Sequence, residues 1–231
     1  RVREGVEARS SVSERGELLF LQAELAAFQG SWRDAARTYL EAARGFEGAG
    51  LAWRELLSRL RHVQSLARGG LSEGFDQAWD LLERCKVQVE GAGSRWLEME
   101  WHRAHALLLS TVPDGDDGVA MESLTALGDM LAAAREIQFP AEVLEASALE
   151  ATLLLRRGES LGARSRLQDA CASFQQLWSG VPETMGASFL GRPDIRRFRT
   201  AVETAGLGFS IPEREDPMLD WAPTQVLDAP Q

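Results

Sequence analysis

The sequence has a single lysine, Lys86, and no asparagine, although 24 of its residues are arginine. A phosphate-binding loop or a kinase-type active site needs its lysine in a specific local motif, and Lys86 lies in none. The net charge of −10 also lacks the basic excess that neutralises phosphates. These absences argue against nucleotide-dependent phosphoryl transfer and against nucleic-acid binding.

Cysteine and long apolar runs are scarce as well. The cysteines are Cys85 and Cys171, and no apolar run approaches the eighteen or so residues of a membrane span. Both cysteines have apolar neighbours on predicted helices, so we expect small buried side chains in a reducing cytoplasm and no disulfide. Because the sequence starts at Arg1 and shows no signal peptide, we expect a segment of a longer cytoplasmic protein.

Catalytic and metal-binding signatures are missing too. The sequence has no GxSxG, no HExxH and no locally recognisable Cys/His arrangement. Within PDGDDG at 113–118 an EF-hand loop would need glycine and glutamate where Val119 and Thr125 stand. His102 and His105 are three residues apart on one predicted helix, but no third metal ligand follows from the sequence. We expect no enzyme activity, no metal and no cofactor.

What the sequence does contain is a helical pattern that occurs four times. A small residue near the start of a helix is followed at +4 by a large apolar residue and at +7 by a small or apolar one. The small residues, which recur at intervals of 43, 42 and 43, are Ala35, Ala78, Ala120 and Ala163. The +4 residues are Tyr39, Leu82, Leu124 and Leu167, and the +7 residues are Ala42, Cys85, Leu127 and Ala170. Offsets of four and seven share one helix face, and such a period indicates stacked repeats.

Turn residues between the apolar segments predict four helix pairs. A capping box at Ser11–Glu14 starts the first helix. The predicted pairs are Ser11 to about Phe28 with 33–47, then 51–68 with 72–90, 94–111 with 117–137, and 141–157 with 160–178. Residues 1–10 form a lead-in, 11–180 the repeats, 181–208 a two-helix cap, and 209–231 a tail. The tail holds four of the eight prolines and five acidic residues against one arginine, so it cannot continue the repeats.

The aligned repeats resemble tetratricopeptide-type repeats. The small, glycine and aromatic signature positions of the first repeat fall on Ala23, Gly30, Trp32, Ala35, Tyr39 and Ala42. Those of the fourth fall on Ala151, Gly158, Ala163, Leu167 and Ala170. Glu73 and Gly115 stand at the turn positions of the middle repeats, which are longer than the family's usual repeat. The resemblance implies an all-α, right-handed α-solenoid of about four helix-turn-helix repeats with period 42–43, a two-helix cap and an extended tail.

The long repeats and the Arg/Ala-rich composition are similar to a narrower group, as is the segment VPETMGASFLGRPDIRRF at 181–198. That group is the helical-repeat regions of large bacterial signalling proteins that carry ATPase or Ser/Thr kinase modules elsewhere. The resemblance implies a non-catalytic module that binds a protein or peptide, and another domain of the same polypeptide is one candidate partner. The alternatives are a small-molecule effector sensor and an oligomerisation scaffold. Neither nucleic acid nor membrane is an expected partner.

The resemblance also implies that the first helix of each pair lines a concave groove for a partner segment. The groove-facing offsets of the family give as candidates Phe20, Glu24, Phe28, Leu60, Val63, Ala67, His102, His105, Leu109, Glu145, Ala148, Thr152 and Arg156. In the tail, the apolar residues Leu219, Trp221 and Leu227 are candidates for docking onto a folded surface.

Overall fold

The computed structural model describes residues 2–70, 74–112 and 117–208, and for residues 2–10 it describes the backbone alone. The predicted tail 209–231, with its docking candidates Leu219, Trp221 and Leu227, lies outside the described residues. Every regular element of the described part is helical, and the structure is 85% helical with no strand in that part. The predicted all-α class is therefore confirmed.

Ten α-helices and one short 3-10 turn make up the described part of the chain. The helices are α1 Val2–Phe28, α2 Trp32–Ala49, α3 Ala52–Arg68, α4 Phe75–Ala92, α5 Arg95–Leu109, α6 Asp117–Glu136, α7 Pro140–Arg156, α8 Ser160–Ser179, α9 Gly186–Leu190 and α10 Pro193–Thr204, and the turn is Glu183–Met185. From α1 to α8 each helix packs against the next one in the chain. In addition, α3 contacts α5, and α10 contacts α7 and α8.

Helix α1 begins earlier than the sequence predicts. We expected a frayed lead-in over residues 1–10 and a helix start at the Ser11–Glu14 capping box, whereas α1 runs without a break from Val2. Most residues between Val2 and Arg9 are glutamate, arginine and alanine, which are strong helix formers. Because no proline or glycine pair interrupts this stretch, the helix continues through the capping-box sequence.

Two glycines in left-handed conformation reverse the chain between paired or neighbouring helices. Gly50 has φ 74° at the end of α2, and its N–H donates to the Glu47 carbonyl at 3.0 Å. Gly158 has φ 78° after α7, and its N–H donates to the Leu155 carbonyl at 3.0 Å. A positive φ costs glycine least, so each glycine ends its helix and lets the next one fold back.

The first helix pair shows how small residues set the distance between helices. A Cβ added at Gly16 of α1 would lie 2.9 Å from Cε1 of Phe46 on α2, which is closer than side chains approach. Phe20 of α1 meets the ring of Tyr39 edge-on, with the ring centroids 5.4 Å apart. Ala35 is fully buried in the same interface. The small residues thus bring α1 and α2 close enough to bury the aromatic rings between them.

Three of the four repeated alanines point inward as predicted. Ala35 and Ala163 are fully buried, and Ala78 is 2% exposed. Their +4 and +7 neighbours are also buried: Tyr39, Ala42, Leu82, Cys85, Leu167 and Ala170. One face of α2, α4 and α8 therefore carries the same pattern of core residues.

Helix α6 uses a different register, so the prediction for Ala120 is wrong. Ala120 and Leu124 are only half-buried, whereas Ser123, Leu127 and Met130 are buried. The Ser123 hydroxyl donates to the Ala106 carbonyl on α5 at 3.3 Å. Leu127 lies +7 from Ala120 and +4 from Ser123, so it belongs to both registers. The helix adopts the register that starts at Ser123, because this register also buries Met130 and the apolar residues after it.

Helix α10 covers the end of the last helix pair. Ile195, Phe198 and Val202 are buried together with Phe174 of α8. The rings of Phe174 and Phe198 stack with centroids 5.6 Å apart. Without α10, the apolar face that α8 presents here would be exposed to solvent.

Candidate functional site

A pocket of about 340 Å³ lies where helices from all four pairs meet helix α10. Its walls come from α1, α2, α3, α5 and α7, and from the N-terminal part of α10. The lining residues used below are Glu24, Phe28, Trp32, Tyr39, Arg61, Gln64, Arg68, Arg103, Glu142, Glu145, Arg192, Asp194 and Arg197. This pocket brings together residues that are up to 173 positions apart in the sequence, from Glu24 to Arg197.

The wall formed by α1, α2 and α3 is a chain of polar contacts. The Tyr39 hydroxyl donates to Glu24 Oε1 at 2.6 Å, and Arg61 Nε lies 3.9 Å from the same oxygen. Burial raises the pKa of Tyr39, and the neighbouring Glu24 carboxylate raises it further. The hydroxyl therefore remains a proton donor that fixes Glu24 in place.

Glu100 of α5 is the fully buried centre of the network behind this wall. Its carboxylate lies 3.0 Å from Arg61 Nη2 and 3.1 Å from Arg103 Nη1, and it accepts a hydrogen bond from Gln64 Nε2 at 2.8 Å. Burial alone would raise the pKa of Glu100, but Arg103 and Arg61 outweigh it and hold the pKa below its ordinary value. Glu100 is therefore ionised and ties α3 to α5.

Glu145 of α7 is the second centre, and it collects arginines from three other helices. It pairs with Arg68 of α3, lies 3.3 Å from Arg103 Nε of α5, and lies 3.5 Å from Arg197 Nη1 of α10. Arg103 also pairs with Glu142. Burial raises the pKa of Glu145, yet Arg68, Arg103 and Arg197 together lower it to about 2. This carboxylate is consequently charged in the folded protein at any pH near neutral.

The charges of the pocket balance once the network behind its wall is counted. The lining holds five arginines, which are Arg61, Arg68, Arg103, Arg192 and Arg197, and four carboxylates, which are Glu24, Glu142, Glu145 and Asp194. The fifth carboxylate is the buried Glu100, which pairs with Arg61 from behind. Arg192 and Asp194 form a two-pronged pair at 3.1 and 2.7 Å. A ligand of one charge sign gains nothing from the net field of the pocket. It has to take the place of an existing ion pair.

One edge of the pocket is apolar and aromatic. Phe28 at the end of α1 is 58% exposed. Trp32 at the start of α2 lies beneath the guanidinium of Arg68, which is 5.3 Å from the ring centroid. An apolar group and a charged group of one ligand would therefore find matching surfaces side by side.

The structure brings three of the thirteen predicted groove residues to this pocket: Glu24, Phe28 and Glu145. Six others are apolar residues that are buried at 8% exposure or less: Phe20, Leu60, Val63, Ala67, Leu109 and Ala148. In α3 the pocket face is formed by Arg61, Gln64 and Arg68, each one residue after a buried position. The face expected to line the groove is thus the face that packs into the core.

The remaining predicted residues lie elsewhere. Thr152 and Arg156 line a second cavity of about 490 Å³ between α7 and α10, which they share with Arg197. His105 is 8% exposed and packs against Trp101 and Trp79, with centroid distances of 4.9 and 5.4 Å. His102 packs edge-on against the same Trp101 at 5.1 Å.

The two histidines show no metal-binding geometry. His105 Nε2 lies 3.3 Å from Glu122, and His102 Nδ1 lies 3.8 Å from Asp129. Burial lowers the pKa of both imidazoles, so both are neutral at neutral pH. Among the residues that the structure describes, no group of three or more His, Cys, Asp or Glu side chains is placed to hold a metal ion.

Sequence reasoning missed the arginines and Glu100, which carry most of the pocket. A signal for them exists in α3, where Arg61, Gln64 and Arg68 have the i, i+3, i+7 spacing of a single helix face. A polar stripe of this kind normally faces solvent, and only the three-dimensional packing shows that it faces α5 and α7.

Comparisons with known proteins do not favour any one class of function for this chain. No protein-family model, no curated protein and no solved structure gives a significant match to the sequence. Within the described residues, no helix combines the length and apolarity needed to cross a membrane. The function therefore has to be argued from the pocket and from the surface of the chain.

Proposed function

We propose that this chain is a non-catalytic interaction module built from tetratricopeptide-type repeats, and that it binds a partner segment in the pocket. The inward-facing small residues of the second helices support the repeat architecture. With Ser123 in place of Ala120, they follow one another at intervals of 43, 45 and 40 residues. On this proposal the helix pairs stack as a right-handed solenoid of about four repeats, with α9 and α10 as its cap.

The observation that carries the proposal is the composition of the pocket wall. The first helix of each pair contributes to it: Glu24 from α1, Arg61 from α3, Arg103 from α5 and Glu145 from α7. A segment bound there touches all four pairs and α10 at once. Binding then changes the relative positions of the pairs, which is how such a module would regulate an attached ATPase or kinase in a larger cytoplasmic bacterial signalling protein.

The state of the carboxylates supports a binding role over a catalytic one. A general acid needs a carboxyl group whose pKa is raised towards neutrality. The pKa values of Glu100 and Glu145 are shifted in the opposite direction by their arginine partners. These two groups hold charge and position, and they do not exchange protons near neutral pH.

The balanced charge of the pocket indicates the chemistry of the partner segment. A peptide that carries an acidic and a basic side chain replaces an Arg–carboxylate pair without leaving either group unpaired. A neighbouring apolar side chain of the same peptide covers Phe28 and Trp32. We therefore expect peptides with mixed charge and one large apolar residue to bind best.

The test is a selection of displayed random peptides, followed by affinity measurements on the peptides it yields. Arg197→Ala removes a pocket arginine that is one-third exposed, and Arg196→Ala removes its neighbour on α10, which does not line the pocket. We expect the peptides to lose at least about tenfold in affinity for Arg197→Ala, or about 1.4 kcal/mol, and to bind Arg196→Ala as they bind the parent. Peptides that bind all three proteins equally would place the partner site outside the pocket.

A small-molecule effector is the second candidate, because the cavity volume fits it. About 340 Å³ lies within the range of roughly 300–1,000 Å³ that is usual for small-molecule sites, and polar groups converge on the cavity. A metabolite that raises the melting temperature of the parent and of Arg196→Ala, but not of Arg197→Ala, would favour this role. Selection of pocket-dependent peptides without any such metabolite would favour the peptide partner.

A further inference from the structure

Helix α1 carries a row of apolar side chains that the rest of the described chain leaves exposed. Leu18, Leu21, Leu25 and Phe28 are 57%, 63%, 57% and 58% exposed. The opposite face of α1, with Phe20 and Ala23, is buried against α2. Other exposed large apolar residues, such as Leu161 on α8, are not part of a comparable row. An apolar row over three turns of one helix indicates a surface that another helix covers.

The spacing of the row defines the geometry of its partner. The four residues follow one another at intervals of three, four and three, which is the spacing of the contact seam between two packed helices. This spacing reads the same in both directions. A two-fold axis midway between Leu21 and Leu25 places Leu21 opposite Leu25 of the partner helix and Leu18 opposite Phe28. Every exposed apolar residue of the row then meets another one.

We propose that a second copy of this chain covers the row, with the two α1 helices antiparallel about that two-fold axis. Such a contact is isologous, because the same patch serves both copies and the assembly closes at two. The proposal concerns a surface beside the peptide pocket. Phe28 also lies at the edge of that pocket, so a bound peptide and a second copy share this one residue. Leu18, Leu21 and Leu25 do not line the pocket, so the contact between copies does not depend on the partner segment proposed above.

The charges beside the row do not oppose self-association. On one side, Glu17 pairs with Arg54 at 2.7 Å, and Glu24 accepts the Tyr39 hydroxyl beside Arg61. These carboxylates are therefore balanced within their own copy. On the other side the residue nearest the axis is Gln22, an uncharged amide. Like charges close to the axis would push the two copies apart. The Gln22 side has no charged residue next to the axis, and the carboxylates on the Glu17 and Glu24 side are paired within their own copy.

The contact is expected to be weak and to depend on salt. A seam of four residues from one helix is smaller than the roughly 800 Å² per partner of a stable interface. Each copy also carries a net charge of −10, so the two copies repel each other at long range. Added salt screens this repulsion and strengthens apolar contact. We therefore expect dimers that form at high protein concentration and become more abundant in salt.

Sedimentation of the full chain over a range of concentrations tests the proposal. We expect Leu25→Glu to abolish the concentration-dependent increase in mass, and the matched control Leu161→Glu to leave it unchanged. Leu161 is 84% exposed and lies away from the row, so both variants place a charge on an exposed leucine. Circular dichroism and melting establish that both variants fold. A parent that stays monomeric at all concentrations and salt levels, or a dimer that survives Leu25→Glu, would overturn the proposal.

Cysteine cross-linking tests the antiparallel register. In a Cys171→Ser background, Gln22→Cys lies next to the axis and is expected to form a disulfide between copies. Gln29→Cys lies six residues from the axis centre, so its two copies are about 18 Å apart along the helices and do not cross-link. In a parallel pair Gln22 and Gln29, which flank the seam, would lie on opposite sides of it from their own copies, so neither cysteine would cross-link. Cross-linking of Gln29→Cys, or of neither variant in a dimer, would overturn the proposed register.

Discussion

Glu145 shows how a single buried carboxylate depends on its surroundings. Its carboxylate forms ion pairs with Arg68, Arg103 and Arg197, which come from three different helices. A buried ion pair contributes little net stability compared with a well-packed apolar pair, because both charges lose their hydration. Removing only one member of the pair is costly, since the other charge stays buried without a partner. Removing Glu145 should therefore destabilise the protein, because its arginines would lose this partner.

We predict that Glu145→Gln lowers the free energy of unfolding at neutral pH by roughly 3–5 kcal/mol. The pKa of Glu145 is about 2 in the folded protein, below the ordinary value of 4.5, so its ionisation stabilises the fold above about pH 4.5. This stabilisation is lost as the pH falls through 4.5 towards 2. The difference between parent and variant in urea unfolding should therefore shrink on acidification from pH 7 to pH 4 and below.

Glu136→Gln is the matched control for that experiment. Glu136 is more than half exposed and pairs with Arg95 at 2.7 Å on the surface, where such pairs contribute about 1 kcal/mol or less. A Glu145→Gln variant that differs from the parent as little as Glu136→Gln does would show that the network is not energetically coupled. A difference that grows on acidification would show that Glu145 is not ionised in the folded state.

At the scale of the helix, the register of α6 decides which small residue packs inward. Ala35 on α2 is fully buried, while Ala120 on α6 is only half-buried and Ser123 takes the inward place. We predict that Ala35→Leu overpacks the contact with α1 and lowers stability by about 1–3 kcal/mol. Ala120→Leu should stay within about 0.5 kcal/mol of the parent, as most surface substitutions do. Urea midpoints of the two variants measure the difference.

Equal destabilisation by the two substitutions would instead support the even 42–43 spacing expected from the sequence. Ser123→Leu provides an independent check, because it should behave like Ala35→Leu. It also removes the hydroxyl that donates to the Ala106 carbonyl. A harmless Ser123→Leu would contradict the register seen in the structure.

Two helices have nearly the boundaries that their turn residues predict, whereas α2 and α4 run two residues past their predicted ends, through Gly48 and Gly91. The helices expected at 51–68 and 160–178 occur as Ala52–Arg68 and Ser160–Ser179, next to Gly69 and Gly158. The start of α1 could not be found in this way, because a capping box is also compatible with the interior of a helix. The register of α6 could not be predicted either, because Ala120 and Ser123 are three residues apart on adjoining faces of one helix and both fit the pattern of a small inward residue.

The pocket could be anticipated only in part, because its residues meet through tertiary packing. Glu24 and Glu145 were expected in a groove, but their arginine partners looked like ordinary solvated positions. Arg68 and Glu145 are 77 residues apart, and the residues around each of them do not indicate that the two side chains pair. Periodicity shows which helix face is apolar, but it does not show which polar stripes become enclosed when the pairs stack.

For the whole molecule, the network changes how the helix pairs depend on one another. In an ideal repeat array each pair contacts only its neighbours, so stability is a sum of local terms. Here Arg68 of α3 pairs with Glu145 of α7, although α4, α5 and α6 lie between these helices in the sequence. Arg197 connects α10 to the same carboxylate. Helix α3 is therefore joined directly to α7 and α10 as well as through the helices between them.

This connection makes a specific prediction for Arg68→Ala. Hydrogen exchange should speed up in α7 and α10 as well as in α3, because Glu145 loses an arginine that holds it towards α3. Arg37→Ala is the matched control, since Arg37 is largely exposed and pairs only locally with Asp34, three residues earlier. It should change exchange near α2 at most. If Arg68→Ala loosened only α3 and the helices next to it, the array would behave as a sum of local contacts. Parallel loosening of α7 and α10 would show instead that the pocket closes the array on itself, which a partner bound in the pocket needs in order to influence both ends together.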